Sequence, residues 1–269
     1  MEFMPVLAIL VVAGAFAGVL AGLLGVGGGI VLVPAFYHVF SRLGYESHWL
    51  MQMCLATSLA TIIVTSLRSL RGHHLRGAVD WDILRRWAPG IAIGAILGTE
   101  LAKSLQSGAL QVIFAGLALI IGLYMALGRK DWRLGNTMPG GLKRWLYAPG
   151  TGFLSVLLRI GGGSIGVPVM ALHDVPMHRA VATAAGWGTA IAVPSVIGFL
   201  LADIPAGARP PGTFGAVNLP AFLVVISMTL LTTPIGVRLA HATDPVRLRR
   251  VFAIFLLLVA ANMAREAIW

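Results

Sequence analysis

Cysteine occurs once, at Cys54, so the chain can hold no intramolecular disulfide and offers no thiolate metal site. Charge is nearly as scarce. Asp, Glu, Lys and Arg together make up 11% of residues, where a soluble domain carries about 25%. No phosphate loop of the G-x-x-x-x-G-K-[ST] type occurs, which argues against direct use of ATP. Glu2 stands where a signal peptide would carry Lys or Arg, so the first apolar segment is expected to be retained. His73-His74 has no nearby Cys and no spaced third ligand, so neither a metal site nor a cofactor is expected.

What the chain has in quantity is apolar sequence. Hydrophobic residues make up 58% and the mean hydropathy is +0.87. Runs with few or no charges fall at 5–40, 50–67, 87–102, 108–127, 145–172, 180–202, 216–237 and 251–264. A spanning helix needs about 20 such residues. This is the pattern of a polytopic membrane protein. The formal net charge of +10 sits mostly in the loops between runs. It therefore reports topology and contact with anionic headgroups of membrane lipids, and nucleic acid is not expected as a partner.

Two of the runs are interrupted by glycine. The first carries Gly27, Gly28 and Gly29, then four residues, then Pro34; the second carries Gly161, Gly162 and Gly163, then four residues, then Pro168. Each glycine costs a helix interior roughly 1 kcal/mol against Ala. Unwound backbone inside a membrane is tolerated only where protein buries it or it lines a cavity. Such a break in corresponding segments of two halves points to a transporter binding site near the bilayer midplane. Close helix packing at the glycines is the plainer alternative.

The halves match beyond the glycines. Gly77-Ala78-Val79-Asp80 matches Gly215-Ala216-Val217-Asn218, and Gly98, Leu101 and Ala102 match Gly236, Leu239 and Ala240 at the same offset. Phe114-Ala115 matches Phe252-Ala253, and Ala56-Thr57 matches Ala182-Thr183. Residues 1–128 are read as the first transmembrane repeat, 129–142 as a basic cytoplasmic linker and 143–269 as the second repeat. Loop charge sets the orientation. Arg68–Arg86, the central loop and His241–Arg250 are rich in Arg and Lys and are placed in the cytoplasm. Segments 41–50, 103–107 and 201–218 hold one basic residue each and are placed outside. The broken segments must then enter and leave on one side. The expected fold is an all-α polytopic membrane protein of two four-segment repeats in inverted orientation, each starting with a glycine-broken, re-entrant helix hairpin. Eight full crossings with parallel repeats is the competing arrangement.

The helices that start after the glycines, near Ile30 and Ser164, present N–H groups without intrahelical partners and the positive end of the helix dipole. Two such ends facing one another would cradle a compact oxyanion. Arg159 lies two residues before the second triplet, deep in an apolar run, where a charge costs about 3 kcal/mol and normally faces a cavity or partner. It is read as a cationic arm of the site, with capping of helix carbonyls as the alternative. Thr57, Ser58 and Thr183 could donate hydroxyls to an oxyanion; helix packing is the commoner fate of such residues. His173, Asp174 and His178 could relay protons or form a solvated loop. Gly162-Gly163-Ser164-Ile165-Gly166 fits the G-x-S-x-G nucleophile elbow, but no His base lies near Ser164 in sequence. No enzyme activity is expected.

With Gly22-Leu23-Leu24-Gly25-Val26-Gly27-Gly28-Gly29 and Pro34, the degenerate copy ending at Pro168, and Ala56-Thr57-Ser58, the chain resembles the sulfite exporter TauE/SafE family, also called the toluene-sulfonate uptake permease family. The resemblance spans the whole chain. Arg159 and Ile160 stand where Gly25 and Val26 do, and Ser164 replaces Ile30. It implies transport of sulfur oxyanions or organosulfonates across the bacterial inner membrane. The sequence thus reads as a secondary transporter for a small anion, sulfite or an organosulfonate, working by alternating access and coupled to protons or to the substrate gradient. An anion channel of the same fold and an intramembrane serine hydrolase are the alternatives. The expected substrate-binding set is Gly27, Gly28, Gly29, Ile30, Thr57, Ser58, Arg159, Gly161, Gly162, Gly163, Ser164 and Thr183.

A periplasm-dependent phosphatase reporter fused after Trp269 is expected to be active. A cytoplasmic reading at that position would remove the inverted arrangement.

Overall fold

The computed structural model describes residues 3–45, 47, 49–104, 116, 119–127, 134–157 and 161–268. Arg159, the linker residues Arg129, Lys130 and Arg133, and the Phe114-Ala115 match lie outside the described residues.

The first apolar run folds as two helices, α1 (Phe3–Leu24) and α2 (Gly29–Arg42). Between them Gly25, Gly27 and Gly28 have φ of 70°, 72° and 80°. Side chains with a Cβ adopt this left-handed region only at a cost, so the glycines end the helix here. The chain continues through α3 (Leu50–His74) and α4 (Trp81–Ser104) to α5, helical at 119–127. The second broken run gives α6 (Gly141–Leu157) and α7 (Gly163–Leu172), followed by α8 (Met177–Leu200). A short 3-10 turn at Ala206–Ala208 and a two-residue antiparallel pair, β1 (Thr213–Phe214) with β2 (Val217–Asn218), lead into α9 (Leu219–Ala242) and α10 (Pro245–Ile268). Among the described residues four helices are long and apolar enough to cross a membrane: Met4–Leu24, Leu50–His74, Met177–Leu200 and Leu219–Ala242. Large hydrophobics such as Val12, Phe16, Leu97, Ile197, Leu231 and Leu258 cover the outer surface, as a lipid-facing belt requires.

The helices outrun the apolar stretches that announce them. Apolar sequence stops at 67, yet α3 continues to His74. Along this last stretch Ser69 and His73 are buried while Arg71 and His74 are exposed. Helical periodicity lets the charges face out without ending the helix. In the same way α4 begins at Trp81, with Arg85 and Arg86 exposed.

Glycine stripes set the closest helix contacts. On α1, Gly14 meets Val225, Gly18 meets Thr229 and Thr232, and Gly22 meets Thr233 and Gly236, so α1 and α9 run parallel with backbones in contact. On α4, Gly90 meets Ala148, Gly94 meets Pro149 and Gly98 meets Phe153, so α4 and α6 pack in the same manner. Small residues four apart permit this approach without a hydrophobic force between helices. At the centre α3 and α8 run antiparallel, with Ser66 against Gly188 and Leu70 against Gly186. Trp87 and Trp187 stack with centroids 5.4 Å apart and join α4 to α8. Two hydrophobic cores result. One gathers Phe36, Phe40, Leu50 and Met53 with the start of α1; the other gathers Trp87, Ile91, Val156 and Met170 with the start of α8.

Gly18→Ala sets a methyl against Thr229 and Thr232 of α9 and is expected to lower the unfolding free energy by about 1–3 kcal/mol. Gly150→Ala has open space at its Cβ and should stay within about 0.5 kcal/mol of wild type. Reversible unfolding in mixed detergent micelles measures both.

Candidate functional site

Breaking a helix inside a membrane leaves its last carbonyls without partners. Here α3 supplies them. Thr57, Thr61, Thr65, Ser69 and His73 recur every four residues, and all are buried. Ser69 Oγ donates to the Ala21 carbonyl at 3.1 Å, and His73 Nε2 lies 3.0 Å from the Gly22 carbonyl. Thr65 Oγ1 lies 3.2 Å from the Gly27 carbonyl and 2.8 Å from that of Thr61. The unwound turn is therefore held by side chains from a neighbouring straight helix.

The two glycine turns touch. Gly161 N–H donates to the Val26 carbonyl at 3.0 Å. A Cβ on Gly161 would lie 2.5 Å from the Val26 oxygen, and one on Gly163 would lie 2.6 Å from the Gly25 carbonyl group. Only glycine allows the turns to approach this closely. From the first turn α2 starts at Gly29, capped by left-handed Gly28 with no side-chain cap; from the second α7 starts at Gly163, again with no side-chain cap. The Gly28 carbonyl accepts from Val31 and Leu32 N–H, which leaves Gly29 and Ile30 N–H without an intrahelical carbonyl. Ser164 is 2% exposed and its Oγ has no hydrogen-bond partner among the described residues.

Thr57 and Thr183 lie roughly two turns into α3 and α8, and Val181 and Ala185 on either side of Thr183 pack on Gly25 of the first turn. Thr57 Oγ1 accepts from Asn218 N–H and Thr183 Oγ1 accepts from Asp80 N–H, both at 3.0 Å. Asn218 and Asp80 in turn accept from Ala221 and Ile83 N–H at 3.0 and 3.1 Å, capping α9 and α4. Each threonine thus clasps the start of another helix, and only its O–H hydrogen remains for an anion. Ser58 is buried, and its Oγ has no partner among the described residues. The sequence reading missed Ser66 and Trp187. The Ser66 Oγ lies against Gly188, and the body of Trp187 lies along Gly162 and Gly166, at the second turn. Both have unpartnered polar atoms among the described residues. Their signal in sequence was spacing: Ser58 and Ser66 stand two turns apart on α3, and Trp187 stands one turn after Thr183.

The other expected polar cluster is rearranged. His173 turns back on its own helix, 2.8 Å from the Val169 carbonyl. His178 instead joins the end of α9, with Nε2 3.0 Å from the Thr243 carbonyl. Arg179 lies 3.9 Å from Asp80, both partly solvated.

Apolar spans, a lipid-facing surface and two buried unwound turns define a multi-pass α-helical membrane protein built around a discontinuous-helix centre. The chain belongs to the TauE/SafE sulfite exporter family: the family model described as Sulfite exporter TauE/SafE matches residues 10–263. This is a family of transporters and not of enzymes. The chain is 28% identical over 250 residues to a probable membrane transporter protein of Haemophilus influenzae, covering 93% of this chain and 95% of that protein. It is 25% identical over 255 residues to a probable membrane transporter protein of Methanocaldococcus jannaschii, covering 92% and 91%. Over 194 residues it is 30% identical to the probable membrane transporter protein YunE of Bacillus subtilis, covering 65% and 71%. No solved structure matches it.

Thr57→Val leaves the buried Asn218 N–H without its acceptor and is expected to lower stability by about 1–3 kcal/mol. Thr57→Ser keeps the oxygen and should recover most of the loss in the same unfolding assay.

Proposed function

We propose that the chain is a secondary transporter that moves a small sulfur-containing anion, sulfite or an organosulfonate, across the bacterial inner membrane by alternating access. The observation that carries this reading is the contact of the two glycine turns through the Gly161 N–H and the Val26 carbonyl. The contact sets the two turns against one another in the interior, the first leading into α2 and the second into α7. An anion would be held by the amides of Gly27, Gly28, Gly29 and Ile30 on one side and of Gly162, Gly163 and Ser164 on the other, with Gly161 tying the two turns together through the Val26 carbonyl. Ser58, Ser66 and Ser164 would add hydroxyl donors, and Arg159 would supply the cation.

Inverted repeats divided at 129–142 are part of the proposal. Three observations support them. The central helices α3 and α8, which correspond in the two halves, are antiparallel. The clasp of Thr57 on Asn218 has its counterpart in Thr183 on Asp80. Packing of α1 on α9 has its counterpart in packing of α6 on α4. Re-entrant hairpins find support in the chain returning to where it entered: Val39 and Phe40 of α2 share a cavity with Val6 and Leu10 of α1. The moving bodies would then be cross-half pairs, α1 with α9 and α4 with α6, shifting against α3 and α8.

The test is thermal unfolding of purified protein with sulfite, sulfate, thiosulfate, an aryl sulfonate or chloride, on wild type and Arg159→Ala. A ligand at about a hundredfold its Kd stabilises the folded state by about 2.7 kcal/mol. Stabilisation by one sulfur oxyanion, lost in Arg159→Ala, is expected. Stabilisation by chloride alone would overturn the substrate class.

A further inference from the structure

The arginine-rich end of the molecule holds a cluster that the anion site does not use. His73 of α3 is 1% exposed. Its Nε2 lies 3.0 Å from the Gly22 carbonyl of α1, and its Nδ1 lies 3.0 Å from Nε2 of His241 on α9. His241 is half-buried, and its ring stacks on that of His178 with centroids 5.8 Å apart. A carbonyl can only accept, so His73 carries its proton on Nε2. Its Nδ1 is then bare and must accept from His241 Nε2–H, which leaves Nδ1 of His241 as the open basic atom.

The geometry points to the His73–His241 pair as the proton site that couples proton movement to transport; this rests on the transport reading above. One added proton binds Nδ1 of His241. The proton on His241 Nε2 passes to Nδ1 of His73. The product is a His73 imidazolium that donates to the Gly22 carbonyl and to His241 Nε2, with His241 neutral and protonated on Nδ1. No atom or charge is lost in the step, and the charge moves from the half-buried ring to the buried one. Gly22 lies one turn before the first glycine turn, so the bound proton stands at the root of the hairpin that would hold the anion.

Few other charged groups face the pair. No titratable side chain lies on α1. On α9, Arg238 is exposed. From α8, His178 faces His241, and Arg179 is turned to Asp80. Beyond α3, Arg76 donates to the Gly72 carbonyl. Arg76 and the ring of His178 are the further polar groups that act on the pair. Both partners of His73 lie on the α1–α9 body, while His73 itself belongs to α3. A shift of that body against α3 must break both bonds together, so occupancy of the pair and position of the body are linked.

The test uses full-length protein in liposomes with labelled sulfite, comparing wild type, His73→Gln and His241→Gln. Sulfite-for-sulfite counterflow needs no net proton movement, whereas accumulation driven by a pH gradient does. Both variants are expected to keep counterflow within about threefold of wild type and to lose pH-driven accumulation by about tenfold or more. Accumulation at the wild-type level in both variants would overturn the proposal, as would equal loss of counterflow and accumulation in both. Should His73→Gln fail to fold, His241→Gln at the half-buried position decides alone. If wild-type protein shows no counterflow, the anion reading fails, and histidine-selective nitrogen NMR still decides the proton site. One N–H shared between the two rings, lost in His241→Gln, supports it; two independently titrating rings overturn it.

Discussion

Every backbone N–H and C=O inside a membrane must find a partner within the protein. The rest of this structure follows from that demand at two places, after Leu24 and before Gly163, where the helices stop short. From the polar stripe on α3, Ser69 and His73 reach the carbonyls of Ala21 and Gly22, and Thr65 lies beside that of Gly27. The two turns meet because Gly161 N–H has the Val26 carbonyl to use. Glycine is required there twice over, for the left-handed backbone at Gly25, Gly27 and Gly28 and for the narrow gap between the turns.

On the proposed reading, the same features would prepare the centre for a polar solute. A helix start held open by its own glycines keeps N–H groups that nothing in the helix can satisfy. At the second turn stand two hydroxyls that are buried and unpartnered among the described residues, Ser66 and Ser164. A compact oxyanion has acceptors in several directions and no apolar surface, so it suits such a lining better than a larger, mixed solute. Family membership and chemistry meet at this point. The family supplies the class of transporter, and the proposed lining would supply a reason for an anion.

Much of this was legible in the sequence, for identifiable reasons. Composition and apolar runs give the membrane class directly. The break after Leu24 is legible because helix interiors tolerate three successive glycines poorly. The pairing of Thr57 with Asn218 was hidden, since no local rule joins residues that far apart. Thr57 and Thr183 match between the halves and share a clasp on a neighbouring helix start, and a hydroxyl that accepts in such a clasp still has its O–H to donate. His73 was hidden by its neighbours. Arg68, Arg71 and Arg76 make the segment look like a loop, while helical periodicity turns His73 inward to a partner 168 residues away. The length of α3 was underestimated for the same reason.

The glycine stripes of α1 and α4 bear on how the chain is made. Each stripe is filled by a helix from the other half: α9 covers α1, and α6 covers α4. When the ribosome has finished the first half, both grooves in it are still open to lipid. The one on α4 closes soon after, once α6 enters the membrane. The one on α1 waits for α9, almost the whole chain later. Assembly therefore cannot proceed by completing one half and then the other. Helix α1 is thus locked in place only after α9 has been made, and a chain truncated before α9 has no native partner for its glycine stripe.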